Sequence, residues 1–280
     1  MKVLINKLKK EDEIEMELEN SIIINANPSF KAMDYRELNE RIHHAMELGY
    51  KKIILNNVCG QRFIGASLQG NLELIINGVP GNDLGIFMDG PKIIVNGNCE
   101  DQAGNTMNNG ELIINGSGGD VIGLSSRGGK IYVKNDVGYR VGIHVKEYDS
   151  KFPVIVIGGT AKDYLGEYMA GGIIIVLGLK ISDDGIIEES VNPICGNELG
   201  AGMHRGKIFI RTNIDLEQNL GIGARQCECS KQELINIKPF LEEFCTQFNV
   251  PLKMIFKKEF KVIKPISSRP FGKNYCSQLI

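Results

Sequence analysis

The chain has 280 residues, 42% of them hydrophobic and 24% charged, with a formal net charge of -2. That length and mixture can bury a core without help from metals or disulfides, and the near-neutral balance argues against nucleic acid or an anionic membrane as the main partner. Glycine is the outlier: 33 residues, about 12% against a usual level of roughly 7%, with tryptophan absent, a mixture that predicts many turns rather than disorder.

In chain order, the opening MKVLINKLKKEDEIEMELEN is too charged for a signal peptide. The longest apolar run, GGIIIVLGL at 171–179, is too short to span a bilayer, so a cytoplasmic location with no membrane partner is expected. Residues 1–50 read as an N-terminal strand and a capping helix. Asp34 followed by Glu37 fits a capping box, Leu38, Ile42 and Ala45 share one helical face, and Gly49 stops the helix, which predicts a lid over 35–48.

Residues 51–226 carry a repeat. Gly65, Gly85, Gly104, Gly123, Gly142, Gly166 and Gly200 are separated by 20, 19, 19, 19, 24 and 34 residues. The residue before each is apolar (Ile64, Leu84, Ala103, Ile122, Val141, Leu165, Leu199), whereas three before lie Arg62, Asn82, Asp101, Asp120, Tyr139, Asp163 and Asn197. One column therefore faces inward and the other solvent. Each unit holds a strand-length apolar run: 72–77, 92–96, 111–115, 130–135, 154–158, 172–178 and 207–211. These glycines do not form a phosphate cradle, because a strand rather than a helix follows them. A period near 19 residues suits one coil of a right-handed, single-stranded parallel β-helix, in which glycine turns corners that side chains resist and that neighbouring coils crowd. About seven such coils would build a rod core of roughly 30–35 Å. The longer gaps read as insertions, the polar segment 180–198 being a surface loop between two coils.

Residues 227–280 read as a helix, a strand and a basic tail. Ser230 and Glu233 form a second capping box, Pro239 kinks or restarts the helix, and Phe240, Phe244 and Phe248 make an apolar stripe, so that helical caps are expected at both ends of the rod. Residues 253–264 read as a strand. From 250 to 280 seven Lys and Arg face Glu259 alone, and Arg269, Pro270 and Phe271 are expected to contact a partner.

The segments YRELNERIHHAMELG, NNVCGQRFIGASLQG, GNDLGIFMDGPKIIVNG and AKDYLGEYMAGGIIIVLG, spanning roughly 35–211, resemble the GXGXG β-helix domain that closes the large chain of glutamate synthase. The same coils occur in one of the subunits of formylmethanofuran dehydrogenase, a molybdenum or tungsten oxidoreductase, which is the alternative reading. With ISSRPFGKNY as its tail, the chain looks like the separate β-helix subunit of split, archaeal-type glutamate synthases. The resemblance implies a scaffold without catalytic residues or cofactor of its own, placed between a glutaminase (class II amidotransferase) chain and a flavin-dependent synthase chain. FMN and an iron-sulfur cluster are expected on those partners. The sequence agrees in that the amidotransferases use an amino-terminal cysteine, whereas here the first is Cys59.

Other candidates are read as follows. Cys227 and Cys229 are too close for an ordinary zinc pair and have no second pair beside them; with Cys59, Cys99, Cys195, Cys245 and Cys276 they read as reduced thiols. The column Asn82, Asp101, Asp120, Asp163 and Asn197 reads as turn chemistry through each residue's own side-chain hydrogen bonds rather than as a cation ladder. His43, His44, His144 and His204 lack a nucleophilic partner at a recognisable spacing, and His204 with Met203 and Arg205 reads as a solvated corner. A polysaccharide-binding β-helix would need paired carboxylates and an aromatic stripe that the aliphatic strands do not provide. Self-association through an uncovered edge is also open.

Overall fold

The computed structural model describes residues 15–18 and 20–268. Cys276 and the expected contact residues Arg269, Pro270 and Phe271 lie outside the described residues.

Strand β1 (Glu15–Leu18) forms an antiparallel hairpin with β2 (Ser21–Asn25), and helix α1 (Tyr35–Glu47) follows. The coils then supply β3 (Lys52–Cys59), β4 (Glu73–Val79), β5 (Asp89–Asn96), β6 (Asn109–Ile114), β7 (Lys130–Val133), β8 (Val154–Ile157) and β9 (Ala170–Val176). A two-stranded hairpin, β10 (Leu179–Ile181) with β11 (Ile187–Glu189), precedes β12 (Arg205–Arg211) and β13 (Ala224–Glu228). The chain ends with helices α2 (Lys231–Phe248) and α3 (Leu252–Ile255) and strand β14 (Phe260–Pro265). Strands β2 to β9 pair parallel in chain order, β12 continues beside β9, and β14 and β13 close that end antiparallel. This is a parallel β-helix whose seven glycine corners bound about six turns.

The inward positions repeat in strict register. Ile22 and Ile24, Ile53 and Leu55, Leu74 and Ile76, Ile93 and Val95, Leu112 and Ile114, and so on to Ile208 and Ile210 stack as two columns, all buried in one continuous core. Each such side chain contributes roughly 1.5–3 kcal/mol of burial, so the stack, rather than any one coil, sustains the fold.

Helix α1 covers the first coil as expected, burying Leu38, Ile42 and Ala45. Its capping box is only half made: Asp34 accepts the Arg36 amide, while Glu37 pairs with Arg41 at 2.8 Å instead. Helix α2 carries the full Ser230–Glu233 box and runs unbroken through Pro239, which sits on its exposed side where the freed carbonyl meets solvent. The expectation of an end cap needs correcting here. Ile237, Leu241, Phe244 and Phe248 pack on Ile113, Tyr132, Val156, Ile175 and Phe209, so α2 lies along the outer face of the sheet, and β14 with β13 covers the rod's end.

Two further differences have physical reasons. Residues 253–264 are not one strand: Pro251 caps the short helix α3, and only 260–265 joins the sheet. The segment 180–198 begins as a β-hairpin tethered by Arg211, which is fully buried. Its guanidinium donates to the carbonyls of Leu177, Met254 and Ile255 and forks onto Glu189 at 2.6 and 3.0 Å. That ion pair, with Lys258 at 2.8 Å, holds the Glu189 carboxyl down to about 2.

Candidate functional site

The corners form the most regular surface of the rod. In every corner the glycine and the residues two before and two after it adopt left-handed backbone, for example Arg140 at φ 56°, Gly142 at 70° and His144 at 56°. Non-glycine residues thus accept this conformation at a cost of about 1–2 kcal/mol. At most middle positions crowding adds a demand for glycine: a Cβ on Gly104 would lie 2.5 Å from Ile131 Cδ1, and one on Gly166 would lie 2.5 Å from Ile208 Cδ1, whereas at Gly85 the nearest atom would be 3.4 Å away. Corner amides are paired between coils, the Gly104 amide to the Leu84 carbonyl and the Gly123 amide to Ala103.

The acidic column works differently from the expected turn chemistry. Asn82 accepts the Asp101 amide, Asp101 the Asp120 amide at 2.8 Å, Asp120 the Tyr139 amide at 2.8 Å, and Asp163 the Asn197 amide at 2.7 Å. Asp136 takes both the amide and hydroxyl of Thr160. Each side chain therefore serves the next coil rather than its own turn, because equivalent atoms of adjacent coils are only a strand spacing apart. A second ladder runs through side-chain amides: Asn57 to Asn25, Asn77 to Asn56, Asn96 to Asn77 and Asn115 to Asn96.

Outside these ladders the corners gather two aromatic–arginine clusters. At the N-terminal end Tyr35 meets Phe63 at 5.7 Å, with the Arg36 and Arg62 guanidinium groups 4.6 and 5.3 Å from the Tyr35 ring. Further along, Arg140 lies 4.5 Å over Tyr164 and pairs with the buried Glu167, while His144 stacks on Tyr168 at 5.3 Å. Tyr139 and Tyr168 remain about half exposed, at 48% and 46%. Gly202 keeps room for the Tyr168 ring, which a Cβ would meet at 2.5 Å. Exposed aromatics and arginines held rigidly in this way are the composition of protein-interface anchors. The sequence reading missed the cluster; its signal was the pair of columns two residues before and after each glycine, where Arg140, His144, Tyr164 and Tyr168 recur.

The remaining candidates scatter. His43 contacts the Ala66 carbonyl at 3.1 Å, His44 is exposed beside Glu47, and the backbone amide of His204 bonds to Met169. Burial pushes the Cys99 thiol up to about 12 and that of Cys195 to about 11, and burial with Glu233 nearby also raises Cys229, the opposite of what a thiolate ligand needs. Among the described residues no group of three or more His, Cys, Asp or Glu side chains gathers as a metal site, and no helix is long and apolar enough to cross a membrane.

Two comparisons bear on this rod. Residues 50–265 match the family described as the GXGXG motif. The chain is also 53% identical over 256 residues to Uncharacterized protein MJ1350 of Methanocaldococcus jannaschii, a match covering 89% of this chain and 96% of that protein. The formylmethanofuran dehydrogenase alternative gains no support from either match. The corner glycines, the inter-coil ladders and a match running from the first coil into the closing strand make the chain a member of the GXGXG family.

Proposed function

We propose that this protein is a non-catalytic assembly subunit of a glutamate synthase-like complex, holding a glutaminase chain and a flavin-dependent synthase chain so that ammonia passes between them in the cytoplasm. FMN and the iron-sulfur cluster belong to the partners, and this chain contributes surfaces. The observation that carries the reading is the use made of its polar side chains: the carboxylates and amides that recur along the coils are engaged in holding one coil on the next, while the outward aromatic–arginine clusters are of interface type. Membership of the GXGXG family supports the choice of complex.

The test is reconstitution. Co-expressed with the amidotransferase and flavin-dependent synthase chains of the same genome, the tagged protein is expected to purify with both, and the mixture to make glutamate from glutamine only when all three are present. Purification of this chain alone, or full glutamine-dependent activity without it, would overturn the proposal.

A further inference from the structure

The outward side of the sheet carries one apolar row in continuous register: Met16, Ile23, Ile54, Ile75, Ile94, Ile113, Tyr132, Val156, Ile175, Phe209 and Val262. From Ile113 onward the row is buried beneath α2. From Met16 to Ile94 the side chains are half-buried, and Ile94 already packs against the edge of the covered cluster. Beside the row runs a charge ladder, with Lys52 2.8 Å from Glu73, Lys92 3.4 Å from Glu111 and Lys130 3.7 Å from Glu111. Where α2 arrives, Lys130 makes its short contact with the helix instead, 2.7 Å to Glu243, and Tyr132 donates to the same carboxylate. The covered half thus shows what this face accepts: a helix with an aliphatic–aromatic stripe and a carboxylate over the ladder lysine.

We propose that the half left uncovered among the described residues, Met16 to Ile94, is the seat of a second amphipathic helix, donated by a partner chain, with an apolar stripe on Ile23, Ile54, Ile75 and Ile94 and an acidic residue over Lys92. This rests on the assembly-subunit reading above and names one of its surfaces. Five strands at about 4.8 Å spacing give a track of roughly 19 Å, which about 13 helical residues would cover. Neither long helix among the described residues of a second copy can be the occupant, because the stripes of α1 (Leu38, Ile42, Ala45) and α2 (Ile237, Leu241, Phe244, Phe248) are already buried in their own molecule. Such helix-on-face docking derives its affinity from the apolar stripe and its register from the charged pair.

The experiment uses the full chain co-expressed with the amidotransferase and synthase chains. The double variant Ile54→Lys/Ile75→Lys should keep the wild-type circular dichroism, with Tm lowered by only a few degrees because both side chains are partly buried and oppose each other in register, and lose at least tenfold of one co-purified partner, while Val191→Ala, at an exposed position of the insertion, retains it. A photo-crosslinking residue at position 75 of the otherwise wild-type chain should join a helical, apolar-striped segment of that partner. A crosslink to a second copy or to residues 1–14 of the same chain would overturn the assignment, as would unchanged co-purification of the folded double variant. If the wild-type chain drew neither partner, the assembly-subunit reading itself would fall, an outcome distinct from a retained partner with an unaffected double variant.

Discussion

The two halves of the flat face share strand type, spacing and register, yet their outward residues differ in fate. In β4 burial alternates along Glu73, Leu74, Ile75 and Ile76, whereas in β8 all four of Val154, Ile155, Val156 and Ile157 are buried. The strand backbone does not decide this; the helix lying on β8 does. Sequence does not decide it either: ELII at 73–76 and ELII at 111–114 are identical, yet Ile75 is half-buried while Ile113 is buried beneath α2.

That contrast can be broken most forcefully on the covered side. Phe244→Ala should cost about 3–5 kcal/mol by urea denaturation, because Phe244 is fully buried between α2 and the sheet. Arg211→Ala should cost about 2–4 kcal/mol, leaving the carbonyls of Leu177, Met254 and Ile255 unpaired and freeing the hairpin at Glu189. A subtler probe is pH. Burial opposes ionisation of Glu233, but Lys207, Lys264 and Ser230 outweigh it and hold the carboxyl from 4.5 down to about 2. The unfolded chain therefore takes up this proton first, and the clamp is complete above pH 4.5 and lost as pH falls toward 2. The loss should be on the order of 1–2 kcal/mol, visible as a falling Tm over that window and flattened in E233Q. On the less covered side Ile75→Ala should cost less than Phe244→Ala, about 1 kcal/mol, since Ile75 is only partly buried in the isolated chain. Lys92→Ala, which removes a partly exposed pair with Glu111 at 3.4 Å, should fall within about 0.5 kcal/mol. Equal costs for Phe244→Ala and Ile75→Ala would dissolve the distinction between the halves.

Much of the rod is legible in one dimension. The spacing of Gly65 through Gly166, the buried residues preceding each glycine and the Ser230–Glu233 box are local patterns, and local patterns survive into the fold. What escaped was set by distance. The sequence marks α2 as amphipathic but not which surface it meets, so a helix expected over an end lies along a side. Arg211 reads as the last residue of a strand until hydrogen-bond partners from about 175 to 255 converge on it. The run at 253–264 misled because MIF is a short apolar run whose periodicity does not separate strand from helix, while Pro251 before it starts a helical turn. In the candidate surface, the reading at minus three was correct about exposure but wrong about the bonding, since an Asp that caps its own turn and one that caps the next coil have the same sequence signature.

The inter-coil ladders have a metrical consequence. Because Asn82, Asp101 and Asp120 each hand their oxygen to the next coil at the same 19-residue step, removing one whole coil from the middle leaves a matching donor and acceptor at the splice. The rod can therefore be shortened or lengthened only in quanta of about 4.8 Å. The separation between the Tyr35–Phe63 cluster and the Arg140–Tyr168 cluster is a count of coils, and the molecule is in that sense a ruler whose graduations are written in asparagine and aspartate.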